Sequence, residues 1–424
     1  MLRSMPRGTR EAGSRRQHGL WSWPLLVALV VGCDSGENAG TWLGTVDTLP
    51  GGVVQVTNPA TGIWDAEAGW QVTEVMRVGS ADGDGPDLFG RVGDFEVDAS
   101  GRIYVFDSQA QELRIFGVDG LHVRTVGRKG GGPGEFSQVI GMDWSPGGDL
   151  WLLDPNNNRI SVIDTNGTYV TSHPALGGFI VMPWSGGFDN QGRFYTYGID
   201  PDPEDENSFP MVFVRYNEAL QPTDTTDVPR YQGNAEYFEA RSGDGFMRAG
   251  VPHSPGLRWR LARNSDFWFI LTGEYEIVRR TFEGDTLSVF SKAFTPLPVT
   301  SADLEEARED LEWFTRQGGQ IDLSKVPDIK PAIQNFFLDD RGNIWVEPTM
   351  AGEDQGRVFD VFDRAGRYLG QVRFPFVLQT NPTPVFVDDF VYGITTDDLE
   401  VPYVVKARLG RPAGDTGAVT VGAG

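Results

Sequence analysis

The chain has 424 residues and a formal net charge of −23 at pH 7, from 36 basic and 59 acidic side chains. This charge argues strongly against a nucleic-acid backbone as partner, because binding phosphates requires a basic surface. The 54 glycines and 27 prolines favour a turn-rich all-β chain over a helical one, and a hydrophobic share of 39% is ample for a core.

The first 32 residues have the pattern of a secretory signal peptide. Several arginines precede an apolar run at residues 21–31, which is too short to span a bilayer as a helix. The run ends in Val31, Gly32 and Cys33, a sequence that resembles the lipobox of bacterial lipoproteins. Residues 1–32 are therefore predicted to be a lipoprotein signal peptide with Cys33 as the lipidated residue. An ordinary cleavage site is the alternative.

The leader also predicts where the mature protein resides. A lipid on Cys33 would anchor it to a membrane of the cell envelope, facing the periplasm or the exterior. Residues 14–17 resemble the start of a twin-arginine export signal, but a general basic segment is favoured. Residues 33–50, which begin with small and polar side chains, are predicted to be a flexible tether. Because Cys33 is the only cysteine, no internal disulfide is expected.

Beyond the tether, a short pattern repeats along the chain. A turn residue, usually Gly, is followed three residues later by an aromatic residue. The six copies are Gly101 with Tyr104, Gly148 with Trp151, Gly192 with Tyr195, Ser265 with Trp268, Gly342 with Trp345, and Asp389 with Tyr392. The aromatics are 47, 44, 73, 77 and 47 residues apart. Four strands with their turns occupy roughly 40–50 residues, so the spacing predicts six propeller blades, with insertions of roughly 30 residues in the two long steps.

The stretch at residues 123–170 carries the clearest copy of this unit. It reads VRTVGRKGGGPGEFSQVIGMDWSPGGDLWLLDPNNNRISVIDTNGTYV, and residues 89–120 and 333–366 are weaker matches. The stretch resembles the NHL-type repeat of six-bladed β-propellers. The resemblance implies an all-β, six-bladed β-propeller over residues 51–410. It implies no particular activity, because propellers host many unrelated functions.

Ring closure and insertions follow from this assignment. Residues 75–77 are expected to pair near residues 403–407 and so complete the last blade, because closure removes exposed sheet edges. Residues 301–317 have a cap at Thr300 or Ser301 and an apolar face, so a helix is predicted between blades 4 and 5, docked on a rim of the ring. An acidic loop begins at Asp200; a solvated loop is favoured there over a Ca²⁺ site. Residues 233–250 are expected to form a lid-like loop, and residues 411–424 a disordered tail.

Ligands of propellers bind at the mouth of the central channel, where the innermost strands begin. Counting ten residues upstream of each repeated aromatic predicts the ring of residues at this mouth: Asp94, Gly141, Ser185, Arg258, Asn335 and Pro382. Arg128 and Lys129 belong to a neighbouring glycine-rich loop, and with Arg258 and Arg260 they suggest an anionic ligand or an acidic peptide. The predicted ligand-binding residues are Asp94, Arg128, Lys129, Ser185, Arg258 and Asn335.

The sequence predicts no catalytic residue, metal or cofactor. His122, His173 and His253 occur singly, without the spacing of a zinc site, and the chain lacks a G-x-S-x-G elbow. Lactonase-like propellers, to which this fold is similar, need several carboxylate and amide oxygens around a divalent metal. In the predicted ring only Asp94 and Asn335 offer them, which disfavours a calcium lactonase.

The favoured function is a monomeric, membrane-anchored, extracytoplasmic propeller that binds a protein or small ligand at its channel mouth without catalysis. The alternative is a propeller hydrolase or lyase acting on a small ester, lactone or glycan. A third possibility is a structural envelope protein with the inserted helix as its contact surface. Two or more titratable groups together at the mouth would favour the enzyme.

Overall fold

The computed structural model describes residues 41–64, 69–176, 187–200, 211–229, 237–242 and 245–410. Three strands precede the first blade and complete later ones: β1 Thr45–Thr48, β2 Val54–Asn58 and β3 Gln71–Val78. The predicted signal peptide with Cys33, most of the acidic loop after Asp200, and the predicted tail lie outside the described residues.

The first three blades are four-stranded antiparallel sheets built in chain order from the channel outwards. Blade 1 contains β4 Val92–Val97, β5 Ile103–Asp107, β6 Glu112–Phe116 and β7 His122–Val126. Blade 2 contains β8 Gly141–Trp144, β9 Leu150–Asp154, β10 Arg159–Ile163 and β11 Tyr169–Pro174. Blade 3 contains β12 Gly187–Phe188, β13 Phe194–Ile199, β14 Met211–Tyr216 and β15 Pro222–Asp227.

A separate hairpin, β16 Tyr237–Ser242 with β17 Gly245–Gly250, precedes the remaining blades. Blade 4 contains β18 Leu257–Leu261, β19 Phe267–Leu271, β20 Glu276–Arg280 and β21 Thr286–Lys292, extended outwards by β2 and β1. Blade 5 contains β22 Ile333–Leu338, β23 Ile344–Pro348, β24 Val358–Phe362 and β25 Tyr368–Arg373. Blade 6 contains β26 Val385–Val387, β27 Phe390–Thr396 and β28 Pro402–Gly410, and β3 completes it. The prediction of a six-bladed propeller is confirmed.

The turn before each repeated aromatic explains why the pattern recurs. Asp98 accepts hydrogen bonds from the backbone N–H groups of Ser100 and Arg102, and Gly101 adopts a φ of 86° that favours glycine. The buried Tyr104 donates its hydroxyl to the same carboxylate at 3.0 Å. The same tie joins Tyr195 to Asp189 and Trp345 to Asp339. In these three blades the aromatic side chain therefore fills the core while its polar tip binds the turn of its own blade.

The N-terminal segment closes the ring. β3 pairs antiparallel with β28, with Arg77 opposite Val405 and Val78 opposite Val404, which confirms the predicted closure. Earlier, β2 pairs parallel with β21 of blade 4, and the backbone N–H of Trp64 donates to the carbonyl of Leu369 in blade 5. Residues 45–78 therefore contact the outer parts of blades 4, 5 and 6 in turn. β1 forms within residues 33–50, which were expected to be a flexible tether.

A buried asparagine ties this N-terminal segment to two blades. The Asn58 side-chain oxygen accepts from the Tyr368 backbone N–H at 2.7 Å and from the Trp42 indole at 2.9 Å. Its amide nitrogen donates to the carbonyls of Ser291 and Gly366 at 3.0 and 2.9 Å. The amide is therefore fully satisfied, and it joins blades 4 and 5 from outside.

The predicted helix is confirmed between blades 4 and 5 as two consecutive helices, α1 Ser301–Asp310 and α2 Glu312–Arg316. Thr300 caps α1 through a reciprocal capping box with Asp303. The helices and the β16–β17 hairpin share a small core of their own, formed by Phe238, Ala249, Val251, Leu311, Phe314 and Val326. The segment expected to be a lid-like loop is thus a hairpin where it is described. No helix in the described residues is long and apolar enough to cross a membrane.

We predict that Asn58→Ala lowers the free energy of unfolding by about 2–4 kcal/mol, because it leaves the buried N–H of Tyr368 and carbonyl of Gly366 unpaired. Chemical denaturation monitored by tryptophan fluorescence measures this difference. Thr57→Ala, on the exposed face of the same strand, is the matched control and should change stability by less than about 0.5 kcal/mol. Equal losses in the two variants would contradict the role assigned to Asn58.

Candidate functional site

The candidate site is the central channel, which contains a cavity of about 1170 Å³. The innermost strands of the blades provide most of its wall. Because side chains alternate along a strand, one set of residues packs between blades and the other faces the channel. On β4, Phe95 and Val97 lie in the core, whereas Asp94 and Glu96 line the cavity.

Asp94 is held by the backbone of two blades. Its carboxylate accepts a hydrogen bond from the Met142 N–H of blade 2 at 2.6 Å and from the Phe95 N–H at 2.9 Å. Burial in the channel wall raises the pKa of Asp94 to about 7, although these two hydrogen bonds oppose the shift; nearby Asp143 adds to it. Asp94 is therefore poised to exchange a proton near neutral pH.

Glu96 lies two residues further along the same strand face and forms no ion pair with any described residue. Burial raises its pKa well above the usual range, and the negative charges of Asp143 and Asp94 raise it further. The Arg263 guanidinium acts in the opposite direction. Ionisation of Glu96 therefore costs free energy in the channel wall, and a cation bound beside it would offset that cost.

Arg263 and Asp143 form a tie between blades. Arg263 follows the end of β18, and its guanidinium donates to Asp143 at 2.7 Å and to the Phe188 carbonyl at 2.9 Å. Asp143 also accepts from the Phe188 N–H at 2.9 Å. A Cβ at Gly187 would lie 2.2 Å from an Asp143 oxygen, so this approach requires glycine. The tie links blades 2, 3 and 4 in the wall of the same cavity.

Two arginines of β18 line the cavity without an acidic partner. Arg260 donates to the Asn335 side-chain oxygen at 3.0 Å and to the Trp259 carbonyl at 2.8 Å, and its buried Nε has no partner. Burial, together with the nearby positive charge of Arg258, lowers the pKa of Arg260 to about 10. Arg258 is exposed to the cavity and forms no ion pair with a described residue.

The wall from blades 5 and 6 is polar and internally hydrogen-bonded. Asn335 donates to the Thr380 carbonyl at 3.1 Å, and the Thr380 hydroxyl donates to Glu347 at 2.8 Å. Gln355 donates to the other Glu347 oxygen at 2.8 Å. Burial raises the pKa of Glu347, while these two hydrogen bonds oppose the shift. This wall is therefore a preformed surface of amide, hydroxyl and carboxyl groups.

The inserted helix α1 contributes acidic side chains to the same cavity. Asp303, Glu306 and Asp310 line it beside His253 and Lys330. Lys330 pairs with Asp303 at 2.6 Å, whereas Glu306 and Asp310 form no ion pair among the described residues. Burial and the Lys330 charge lower the pKa of His253. The rim formed by the helix is therefore negative, and we call Asp303, Glu306 and Asp310 the acidic rim.

The structure brings together only part of the predicted ligand-binding set. Asp94, Arg258, Asn335 and Pro382 line the cavity, and Gly141 lies beside it. Ser185 lies outside the described residues.

The glycine-rich loop does not reach this cavity. Arg128 is largely exposed and pairs with Glu135 at 2.7 Å, and the Lys129 backbone bridges to Phe136. Neither residue lines the channel, because the loop joins the outermost strand of blade 1 to blade 2. Ligand binding by Arg128 and Lys129 stays a prediction without support from the cavity geometry.

Sequence reasoning missed Glu96, Asp143, Arg263 and Glu347. Two of them carried a usable signal, because Glu96 and Asp143 lie two residues after Asp94 and Gly141, on the same face of each strand. Arg263 lies two residues after β18, and Glu347 is the penultimate residue of β23. Nothing in their spacing predicted that they line the channel. The channel therefore holds more titratable groups than the ring of single positions suggested.

One family of known proteins and several solved structures are similar to this chain. A family described as a 6-bladed beta-propeller matches residues 86–172. A protein described as exported, from Bacteroides fragilis, is 13% identical with a TM-score of 0.48, covering 84% of this chain and 99% of that chain. Virginiamycin B lyase from Staphylococcus aureus is 10% identical with a TM-score of 0.42, covering 80% and 99%. A gluconolactonase from Xanthomonas campestris is 14% identical with a TM-score of 0.39, covering 82% and 97%.

These similarities are too low to transfer an activity to this chain. No curated protein matches the sequence. Any statement about what the channel does must therefore rest on its own residues.

We predict that Glu96→Gln stabilises the protein increasingly as the pH rises. A carboxyl whose pKa is raised on folding destabilises the folded state above its unfolded pKa of about 4.3, because the folded form then binds more protons. Glutamine removes that penalty. The free energy of unfolding of the variant should therefore equal that of the parent near pH 4 and exceed it by on the order of 1 kcal/mol at pH 8.

Urea denaturation at several pH values measures this difference. Glu218→Gln, at an exposed turn position, is the matched control and should give the same pH profile as the parent. A Glu96→Gln profile parallel to that of the parent would show that Glu96 titrates normally.

Proposed function

We propose that this protein is a lipid-anchored, extracytoplasmic β-propeller that binds a small ligand in its channel and holds an anionic group of the ligand with Arg258 and Arg260. One observation carries the proposal. In a chain with 59 acidic and 36 basic side chains, these two cavity-lining arginines have no acidic partner among the described residues. An anion would supply it.

The energetics of Arg260 support this assignment. A guanidinium taken out of water needs compensating acceptors, and Arg260 has two neutral ones and a buried Nε with none. The lowered pKa expresses the same deficit. A carboxylate bound between Arg258 and Arg260 would offset both the desolvation and the repulsion between the two cations.

The cavity favours a small ligand over a folded protein. Its volume of about 1170 Å³ is slightly above the typical range of small-molecule sites, and a few polar groups converge in it. A folded partner would instead need an extended exposed surface. The acidic peptide considered from the sequence would meet the acidic rim, which disfavours it.

We predict that Arg258→Gln weakens the binding of small carboxylates such as succinate by about tenfold or more, because it removes a charge-assisted hydrogen bond. Isothermal titration calorimetry on the full mature chain measures the dissociation constants. Arg128→Gln is the matched control, since Arg128 is exposed and lies away from the cavity. Loss of binding in Arg128→Gln but not in Arg258→Gln would place the site at the glycine-rich loop instead.

Membrane anchoring is tested separately. We predict that the parent protein, expressed in a bacterium, partitions into the detergent phase of Triton X-114, and that Cys33→Ser moves it to the aqueous phase because the lipid is lost. Ser35→Ala, two residues away, should partition like the parent. Partition of the parent into the aqueous phase would contradict lipidation at Cys33.

A hydrolase or lyase is the second candidate, and the titratable groups of blade 1 favour it. Asp94, with a pKa of about 7, suits a general acid or base at neutral pH. We predict no turnover of p-nitrophenyl esters, aryl lactones or p-nitrophenyl glycosides above that of Asp94→Asn, with circular dichroism confirming that the variant folds. If the parent turns over one of these substrates and Asp94→Asn abolishes the turnover, the protein is an enzyme and the proposal of a purely binding function is wrong.

A further inference from the structure

We propose that the ligand is a zwitterion whose carboxylate lies against Arg258 and Arg260 and whose ammonium group lies against Asp94 and Glu96. The inference rests on the proposed function and deepens it, because it names the class of ligand. It starts from where the blades place the two pairs of charges.

The acidic and basic pairs face each other across the channel. In a closed ring of six blades, blade 1 lies opposite blade 4. Asp94 and Arg258 are equivalent positions of the innermost strands, ten residues before Tyr104 and Trp268. Glu96 and Arg260 each follow two residues later, which is about 6–7 Å deeper along a strand. The channel therefore has a negative wall and a positive wall at matching depths.

The two walls do not neutralise each other. Three carboxylates, those of Asp94, Glu96 and Asp143, share one guanidinium, that of Arg263, which is committed to Asp143 at 2.7 Å. No ion pair within 4 Å joins Asp94 or Glu96 to Arg258 or Arg260 among the described residues, and the cavity lies between them. Each wall thus lacks a counter-charge, and a molecule with one charge of each sign supplies both.

The acidic rim gives an independent reason to prefer a molecule without net charge. Among the described residues Glu306 and Asp310 have no cationic partner, and the whole chain has a net charge of −23, so a net anion is repelled as it approaches Arg258. A simple cation would pass the rim but leave both arginines unpaired. A zwitterion avoids both penalties.

The negative wall also suits an ammonium group chemically. An ammonium group has three N–H donors and no acceptor. Glu96 forms no ion pair within the described part of the chain, and Asp94 has lone pairs beyond those used by the Met142 and Phe95 N–H groups. Binding of the ammonium group would stabilise the ionised carboxylates, so protons should be released near neutral pH. Asp143 and Arg263 are the other charged groups that face this site.

The test uses a length series in which each zwitterion has a matched acid and a matched amine. Glycine, 4-aminobutanoic acid and 6-aminohexanoic acid are compared with acetic, butanoic and hexanoic acids and with methylamine, butylamine and hexylamine. Calorimetry on the full mature chain at pH 7 gives the dissociation constants. At least one zwitterion should bind about tenfold or more tightly than both of its partners.

Two results would overturn the inference in different ways. If each acid binds as tightly as its zwitterion, the ammonium site is wrong but the proposed anion site stands. If no member of the series binds, both the ammonium site and the anion site fail. Titration in two buffers of different ionisation enthalpy should also show proton release for the zwitterions and none for the matched acids.

Variants separate a specific ammonium site from a general electrostatic effect. Glu96→Gln should weaken the best zwitterion about tenfold while leaving the matched acid unchanged, whereas Arg258→Gln should weaken both. Glu218→Gln, at an exposed turn outside the cavity, removes the same charge and should change neither dissociation constant more than about twofold. An unchanged zwitterion affinity in Glu96→Gln, with the variant shown to be folded by its melting curve, would overturn the inference.

Discussion

Closure of the ring by β3 is the interaction on which the other blades depend. A blade buries its faces only against its neighbours, so an open ring would expose both faces and an unpaired edge. The ladder between β3 and β28 joins residues near the two ends of the described chain, with Val78 opposite Val404. The same N-terminal segment continues across blades 5 and 4, where Asn58 satisfies polar groups of both. Closure and the outer contacts therefore stabilise one another.

The repeated turn leaves the channel free to vary. Asp98 and Tyr104 bind one another within a blade, and the alternate residues of each inner strand fill the core. These interactions hold each blade together from within, and channel-facing residues such as Asp143 and Arg263 add ties between blades. Channel positions can therefore carry charges that would be unsuitable in a core, and the fold does not determine which charges they carry.

The distribution of charge in the channel departs from the rule that buried charges are paired. Arg260 has a buried Nε without a partner, and Glu96 lies near two other carboxyls. Such groups lower the free energy of unfolding, because burial penalises their charged forms. Departures of this kind are expected at functional sites, where stability is exchanged for binding or chemistry. The inserted helix places further acidic groups beside them, so the inner strands of the blades and the inserted helix line the same cavity.

The amino-acid sequence by itself determined the blade count, the closing strand, the inserted helix and four described lining residues of the predicted ring, Asp94, Arg258, Asn335 and Pro382. These features are local or periodic, because turns, alternation and caps act over a few residues. Only the tertiary structure decided that Glu96, Asp143 and Arg263 meet, and that Arg128 and Lys129 stay away from the cavity. Their positions depend on how distant blades are oriented around the axis, and no local pattern encodes a contact between residues 120 positions apart, such as Asp143 and Arg263.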